Sequence, residues 1–174
     1  MSRFRLGSTL AVAAGILIIS GGCAESPSAP VQVGDGLELL RAPESPSLAR
    51  SGAGDARSRV IGPEGGVIEL STGHRLTFPA GAVAQPTEIG MRVDGAYQGV
   101  RLSPHGLVFP ADAEPVLELK AVGAGVERRN LSVVYVDEAN SILEVLPTTR
   151  HGSELSVNLE HFSGYIIATT RAEP

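Results

Sequence analysis

The sequence predicts an all-β protein, an antiparallel β-sandwich preceded by a signal peptide and a disordered tether. Three observations predict it. From Arg59 onward, short apolar segments alternate with polar residues at period two; clusters of Gly, Pro, Asn and Asp separate them; and from Arg59 to Ala168 no helical period is sustained. One wet face per strand is the pattern of antiparallel sheets packed on a core, and about 110 residues of short strands fit a sandwich.

The elements follow in chain order. Residues 1–22 carry Arg3 and Arg5, an apolar run from Leu6 to Ile19, then the small residues Gly21 and Gly22 ahead of Cys23. These are the n-region, h-region and cleavage zone of an export signal. The run is shorter than the roughly 18 to 20 residues a membrane-spanning helix needs. Residues 23–58 hold the single cysteine and a stretch rich in Pro, Ser, Ala and Gly, with Leu37, Leu39 and Leu40 as its one apolar cluster. Such a composition buries too little apolar surface to offset ordering, so it reads as a flexible tether with an r.m.s. reach of roughly 30 to 35 Å. The alternative for Leu37 to Arg41 is a short element docked on the domain.

Residues 59–168 form the expected sandwich and 169–174 a C-terminal tail. Within Glu88 to Asp94, Ile89, Met91 and Val93 oppose Glu88, Gly90, Arg92 and Asp94; within Glu154 to Glu160, Leu155, Val157 and Leu159 oppose Glu154, Ser156, Asn158 and Glu160. Leu117 and Leu119 likewise oppose Glu118 and Lys120. Further strands are expected at 67–70, 75–78, 131–136, 141–146 and 162–168. Gly62-Pro63-Glu64-Gly65-Gly66, Ser71-Thr72-Gly73 and Asp137-Glu138-Ala139-Asn140 supply turn chemistry. Pro79-Ala80-Gly81-Ala82 reads as a short helical turn across an end of the sandwich.

Two resemblances bear on function. "IISGG" followed by Cys23 resembles the lipobox of bacterial lipoproteins, with Gly21 and Gly22 fitting and Ser20 standing where that pattern prefers Leu, Val or Ile. It implies diacylation of the Cys23 thiol and acylation of the new amine, and Ala24 after it resembles the outer-membrane sorting pattern. Each buried methylene of such an anchor adds about 0.8 kcal/mol of membrane affinity. "IGPEGGVIEL" (61–70), "GHRLTFPAGAV" (73–83) and "TEIGMRV" (87–93), followed by "LSPHGLVFPADAEPVLEL" (102–119) and "HFSGYIIA" (161–168), resemble the ZU-five domain in their order and spacing. That resemblance implies a β-sandwich used as an interaction module and does not give the partner; joined to the lipobox resemblance, the expectation is a non-enzymatic protein-interaction or structural module at a bacterial cell envelope, lipid-anchored at the outer membrane, with an envelope protein of unknown identity as partner.

Some members of that family cleave themselves within His-Phe-Ser, and the same residues stand here as His161, Phe162 and Ser163. The reaction is an N-to-O acyl shift. The Ser163 hydroxyl adds to the Phe162 carbonyl, the amide C–N bond breaks to leave an ester and a free Ser163 amine, and water hydrolyses the ester while His161 moves the proton. In an extended strand His161 and Ser163 share one face with Tyr165, while Phe162, Ile166 and Ala168 take the other, with Gly164 as a bulge. Self-processing is therefore the alternative function, and core packing the plainer role of the same residues.

Other chemistry is thin. His74, His105, His151 and His161 have no metal-ligand spacing, and His74 and His105 read as exposed turn residues beside Gly. No metal site and no cofactor are expected. Ser163 lacks the Gly two residues before it that a nucleophile elbow requires. Asp112 with Glu114, and Asp137 with Glu138, read as loop solvation in preference to a Ca²⁺ site. A carbohydrate-binding sandwich or a periplasmic hydrolase comes third, since the chain has no Trp and only Tyr97, Tyr135 and Tyr165 as tyrosines. The 14 basic and 19 acidic side chains give −5, and removing Arg3 and Arg5 leaves 12 against 19, or −7. With its basic residues scattered among acids, the chain has no basic face for nucleic acid.

Overall fold

Period-two alternation sends every second side chain inward, so a segment with one apolar face is stable only when another sheet covers that face. In the computed structural model, which describes residues 36–43 and 54–170, this is how the chain is arranged. The strands are β1 (Leu37–Leu39), β2 (Ala56–Ile61), β3 (Gly66–Glu69), β4 (Arg75–Phe78), β5 (Thr87–Val93), β6 (Gly99–Ser103), β7 (Val116–Lys120), β8 (Leu131–Val136), β9 (Ile142–Val145), β10 (Thr149–His151), β11 (Glu154–Asn158) and β12 (Gly164–Thr170). A seven-stranded sheet runs β2-β5-β6-β12-β8-β9, with β1 also paired to β12, and a five-stranded sheet runs β10-β11-β7-β4-β3. Every pairing is antiparallel.

The inward rows build one core. Ile89 and Met91 of β5, Val100 and Leu102 of β6, Val133 of β8 and Ile167 of β12 meet Ile68, Leu76, Leu117, Leu119 and Leu155 of the smaller sheet, and all are buried. Each such side chain is worth roughly 1.5 to 3 kcal/mol of transfer free energy. On the outward side of the small sheet, Arg75 stands between Glu69 at 3.2 Å and Glu118 at 3.9 Å. That cross-strand trio is exposed and contributes little.

β12 occupies the middle of the larger sheet. It pairs with β8 along one edge and with β6 and then β1 along the other. All of its residues except Thr170 are buried. Tyr165 and Ile167 point into the main core, while Ile166 and Ala168 join Val134 and Val136 of β8 in a second apolar cluster, against which Leu37, Leu39, Tyr97 and Ile142 pack.

Several boundaries differ from the sequence-based expectation. Residues 23–58 were expected to be tether, yet Leu37–Leu39 is a strand and β2 begins at Ala56. The composition around Leu37 is that of a linker, but its leucines complete the apolar strip beside Ala168. The chain continues into the fold: Leu40 donates its N–H to the Ile167 carbonyl and accepts from Gln98 N–H, both at 2.8 Å, and Ala42 N–H donates to the Ala96 carbonyl at 3.0 Å. The buried Gln98 amide donates to the Arg41 carbonyl at 3.1 Å and the Val122 carbonyl at 2.8 Å, and accepts from Val122 N–H at 2.8 Å. At the other end the sandwich extends to Thr170, two residues past Ala168. Strands β2, β6 and β10 were not expected, and the strand predicted over 162–168 begins only at Gly164. Pro79–Ala82 is a single turn, with Ala82 N–H donating to the Pro79 carbonyl at 3.2 Å.

Candidate functional site

The motifs quoted from the sequence meet at one end of the sandwich. Gly65 adopts φ 78, and a Cβ there would lie 2.3 Å from the Phe78 carbonyl oxygen, so the "GPEGG" turn packs its backbone directly on the "FPAGA" corner. Gly81 N–H donates to the Pro63 carbonyl at 2.8 Å, which ties the two a second time. Phe78 of the corner, Phe109 of "VFP" and Phe162 of "HFS" form an aromatic triad with centroid separations of 6.0, 6.3 and 5.6 Å, two of the three contacts edge-to-face. Pairs of this kind add about 0.5 to 1.5 kcal/mol beyond their buried area.

His161, Phe162 and Ser163 lie in the bend between β11 and β12, where the chain crosses from one sheet to the other. This corrects the expected strand and its faces. Phe162 shares the main core with Tyr165 and Ile167, whereas Ile166 and Ala168 face the outer cluster, because the bend shifts the alternation by one residue. Phe162 and Ser163 are buried and His161 is exposed.

Backbone donors grip the bend. Gly106 N–H donates to the Phe162 carbonyl at 3.3 Å and Leu102 N–H to the Ser163 carbonyl at 2.7 Å, while the Tyr165 hydroxyl donates to the His161 carbonyl at 2.5 Å. The His161 ring packs on Tyr135 with centroids 5.6 Å apart, and Tyr135 packs on Tyr165 at the same separation. Burial pushes the Tyr165 phenol up, and the neighbouring Tyr135, Glu144 and Glu160 push it the same way, so it stays a neutral donor. Among the described residues no hydrogen bond joins His161 to Ser163. The geometry thus brings a donor to the carbonyl an acyl shift would attack, and turns the imidazole toward Tyr135. Cys23 lies outside the described residues.

A polar clamp lies on the outer face at Gly164. The Arg101 side chain, 10% exposed, donates through Nε to Asp94 Oδ2 at 2.9 Å, through Nη1 to the Asp137 carbonyl at 2.8 Å, and through Nη2 to Asn140 Oδ1. A Cβ on Gly164 would stand 2.5 Å from Arg101 Nη1, so Gly is the residue that lets the guanidinium cross β12. Burial alone would raise the Asp94 carboxyl, but the Ala96 N–H, Arg101 and the Tyr97 N–H together hold it below the usual carboxylate range. Sequence reasoning missed this clamp. Arg101 stands between Val100 and Leu102 like any solvent-facing strand residue, and nothing local points to Asn140.

The remaining candidates separate. Asp137 is part of the turn, its carboxylate accepting Ser141 N–H at 2.8 Å. His105 is exposed and 3.8 Å from Glu138, and His151 is exposed. Among the described residues no group of three His, Cys, Asp or Glu is placed to hold a metal. One shallow groove of about 330 Å³ lies over Gly90 between Arg92 and Arg101, and another of about 290 Å³ lies beside β1; neither reaches the His161–Ser163 bend. A scan against protein-family models finds no match for this chain, and neither does a search of curated proteins.

His74 is buried, not exposed as its place beside Gly73 suggested. Its Nδ1 accepts the Lys120 N–H at 3.1 Å, so the ring fills the end of the core while satisfying a strand-end donor. Burial lowers its pKa to about 4, against a smaller raising effect of Asp55. The unfolded chain binds this proton below about pH 6.5 and the folded chain only below about 4. Stability is therefore complete above the unfolded value and is lost as pH falls through that window, by about 3 kcal/mol. Urea unfolding of wild type and His74→Asn between pH 7 and 4 is expected to show this loss in the wild type and a flatter profile in the variant.

Proposed function

We propose that this protein is a membrane-anchored bacterial envelope lipoprotein that displays its β-sandwich as a non-enzymatic protein-interaction or structural module. The observation that carries this reading is the placement of the lone Cys23 directly after an export-signal pattern, ahead of a chain whose first described strand is β1. The ZU-five resemblance supports the module reading through the motifs that meet around Phe78, Phe109 and Phe162. A β-sandwich by itself hosts many functions, so the reading rests on the anchor and on these motifs and not on the architecture.

In a detergent-partition and membrane-flotation assay, wild-type protein is expected in the membrane fraction and Cys23→Ala in the soluble fraction. Equal membrane association of the two would overturn the anchor.

A second reading has one specific observation in its favour. The Gly106 N–H already donates to the Phe162 carbonyl, where an acyl shift would develop negative charge. Ser163 would be the nucleophile and His161 the proton carrier, after its ring leaves Tyr135. Intact mass under denaturing conditions tests it. Self-processing predicts two fragments split at Phe162/Ser163 in the wild type and one mass in Ser163→Ala, whereas a single mass in both assigns the bend to packing alone.

A further inference from the structure

Among the described residues five strands have an outer edge: β1, which is only three residues long, and β2, β3, β9 and β10, of which three are guarded. β2 presents Arg57 and Arg59, and Arg59 Nη1 donates to the Val67 carbonyl of β3 at 2.9 Å, so charge and a side-chain bond occupy these two. On β10, Arg150 donates through Nη1 to the Arg129 carbonyl at 2.6 Å and through Nη2 to the Val126 carbonyl at 3.0 Å. β9 has no such device. Leu143 and Val145 are 47% and 41% exposed, its one charge is Glu144, and among the described residues no strand pairs with its far edge.

The register defines what that edge offers. Leu146 N–H donates to the Val133 carbonyl at 3.0 Å, and alternation along an antiparallel pair then turns the N–H and C=O of Val145 away from β8. Glu144 is opposite Tyr135, which is opposite Tyr165, so an acidic side chain ends an aromatic row on the inner face. Val145 is opposite Val134 and Ile142 opposite Val136, so the outer apolar cluster continues to the edge. A strand added here would set one side chain beside Glu144 and its two neighbours beside the apolar strip.

We propose that β9 is a docking edge for an extended peptide segment of a partner protein, in which a Lys or Arg flanked by two apolar residues pairs with Glu144 while the backbone pairs with Val145. The proposal rests on the reading of the sandwich as an interaction module, and names the chemistry of its partner. Backbone pairing supplies the affinity and the alternate side chains supply the selectivity, as in other strand-addition complexes.

The test uses the full-length chain in detergent and two fluorescein-labelled nonapeptides, Thr-Val-Thr-Val-Lys-Val-Thr-Val-Thr and the same sequence with Glu at its centre, read by fluorescence anisotropy. The Lys peptide is expected to bind about fivefold tighter than the Glu peptide, and Glu144→Lys to reverse that preference. Val145→Pro, which removes only a donor facing the free edge, is expected to abolish binding of both while leaving the thermal midpoint near that of the wild type. Equal affinity for the two peptides, no binding of either, binding unchanged by Val145→Pro, or a dimer joined through β9 in sedimentation would each overturn the proposal. A parallel capture from envelope extract separates the two levels. A partner retained equally by wild type and Val145→Pro removes β9 and leaves the module reading standing, whereas peptide binding without any retained partner removes the module reading.

Discussion

The structure depends on the double burial of its last strand. Among the described residues β12 is the only path by which β8 and β9 join β5 and β6, and it is covered on the inner face by the main core and bounded on the outer face by a second apolar cluster. A strand of this kind has no wet side, which is why Tyr165 to Ala168 reads as an unbroken apolar run beside the alternating segments. It also means that the larger sheet is complete only when β12 is in place. Non-local pairing of this sort brings its loop-closure cost before its contacts reward it.

The features with chemical interest are consequences of inserting that strand. The chain must leave β11 in one sheet and enter β12 in the other, and the bend at His161 to Ser163 accomplishes the crossing. Phe162 anchors it among Phe78 and Phe109, and the amides of Leu102 and Gly106 satisfy carbonyls that a bend would otherwise leave buried without partners. On the outer face the same crossing point has no side chain at Gly164, and Arg101 uses the space to join the β5–β6 turn to the β8–β9 turn. The clamp and the bend hold the two faces of a single residue step. β9, one strand beyond, receives none of this reinforcement and keeps an open edge.

Much of the strand layout was legible because alternation is a local signal. Leu117 and Leu119, or Leu155 and Val157, declare an inward face without reference to anything distant. What was hidden depends on contacts between remote residues. Leu37 to Leu40 sits in linker-like sequence, and only Ala168 and Gln98 make it a strand. The faces of β12 were misread because a bend of three residues shifts the alternation, and no residue type announces that shift. His74 looks like a turn histidine until the Lys120 N–H supplies a reason to bury it. Arg101, Asp94 and Asn140 are unremarkable singly, and their meeting is a product of the topology. The three phenylalanines were quoted in separate motifs, while their convergence is a fact of the folded core alone.

Native-state hydrogen exchange measures the central claim directly, since it reads the opening free energy of each strand. The account predicts that the amides of Ile166, Ile167 and Ala168 exchange only through global unfolding, with the highest protection in the chain, while the Leu146 amide, bonded to the Val133 carbonyl at the end of β9, exchanges through a much smaller local opening. Exchange of the β12 amides faster than the global limit, or protection of Leu146 equal to theirs, would contradict the view that the sandwich is closed by β12 and open at β9.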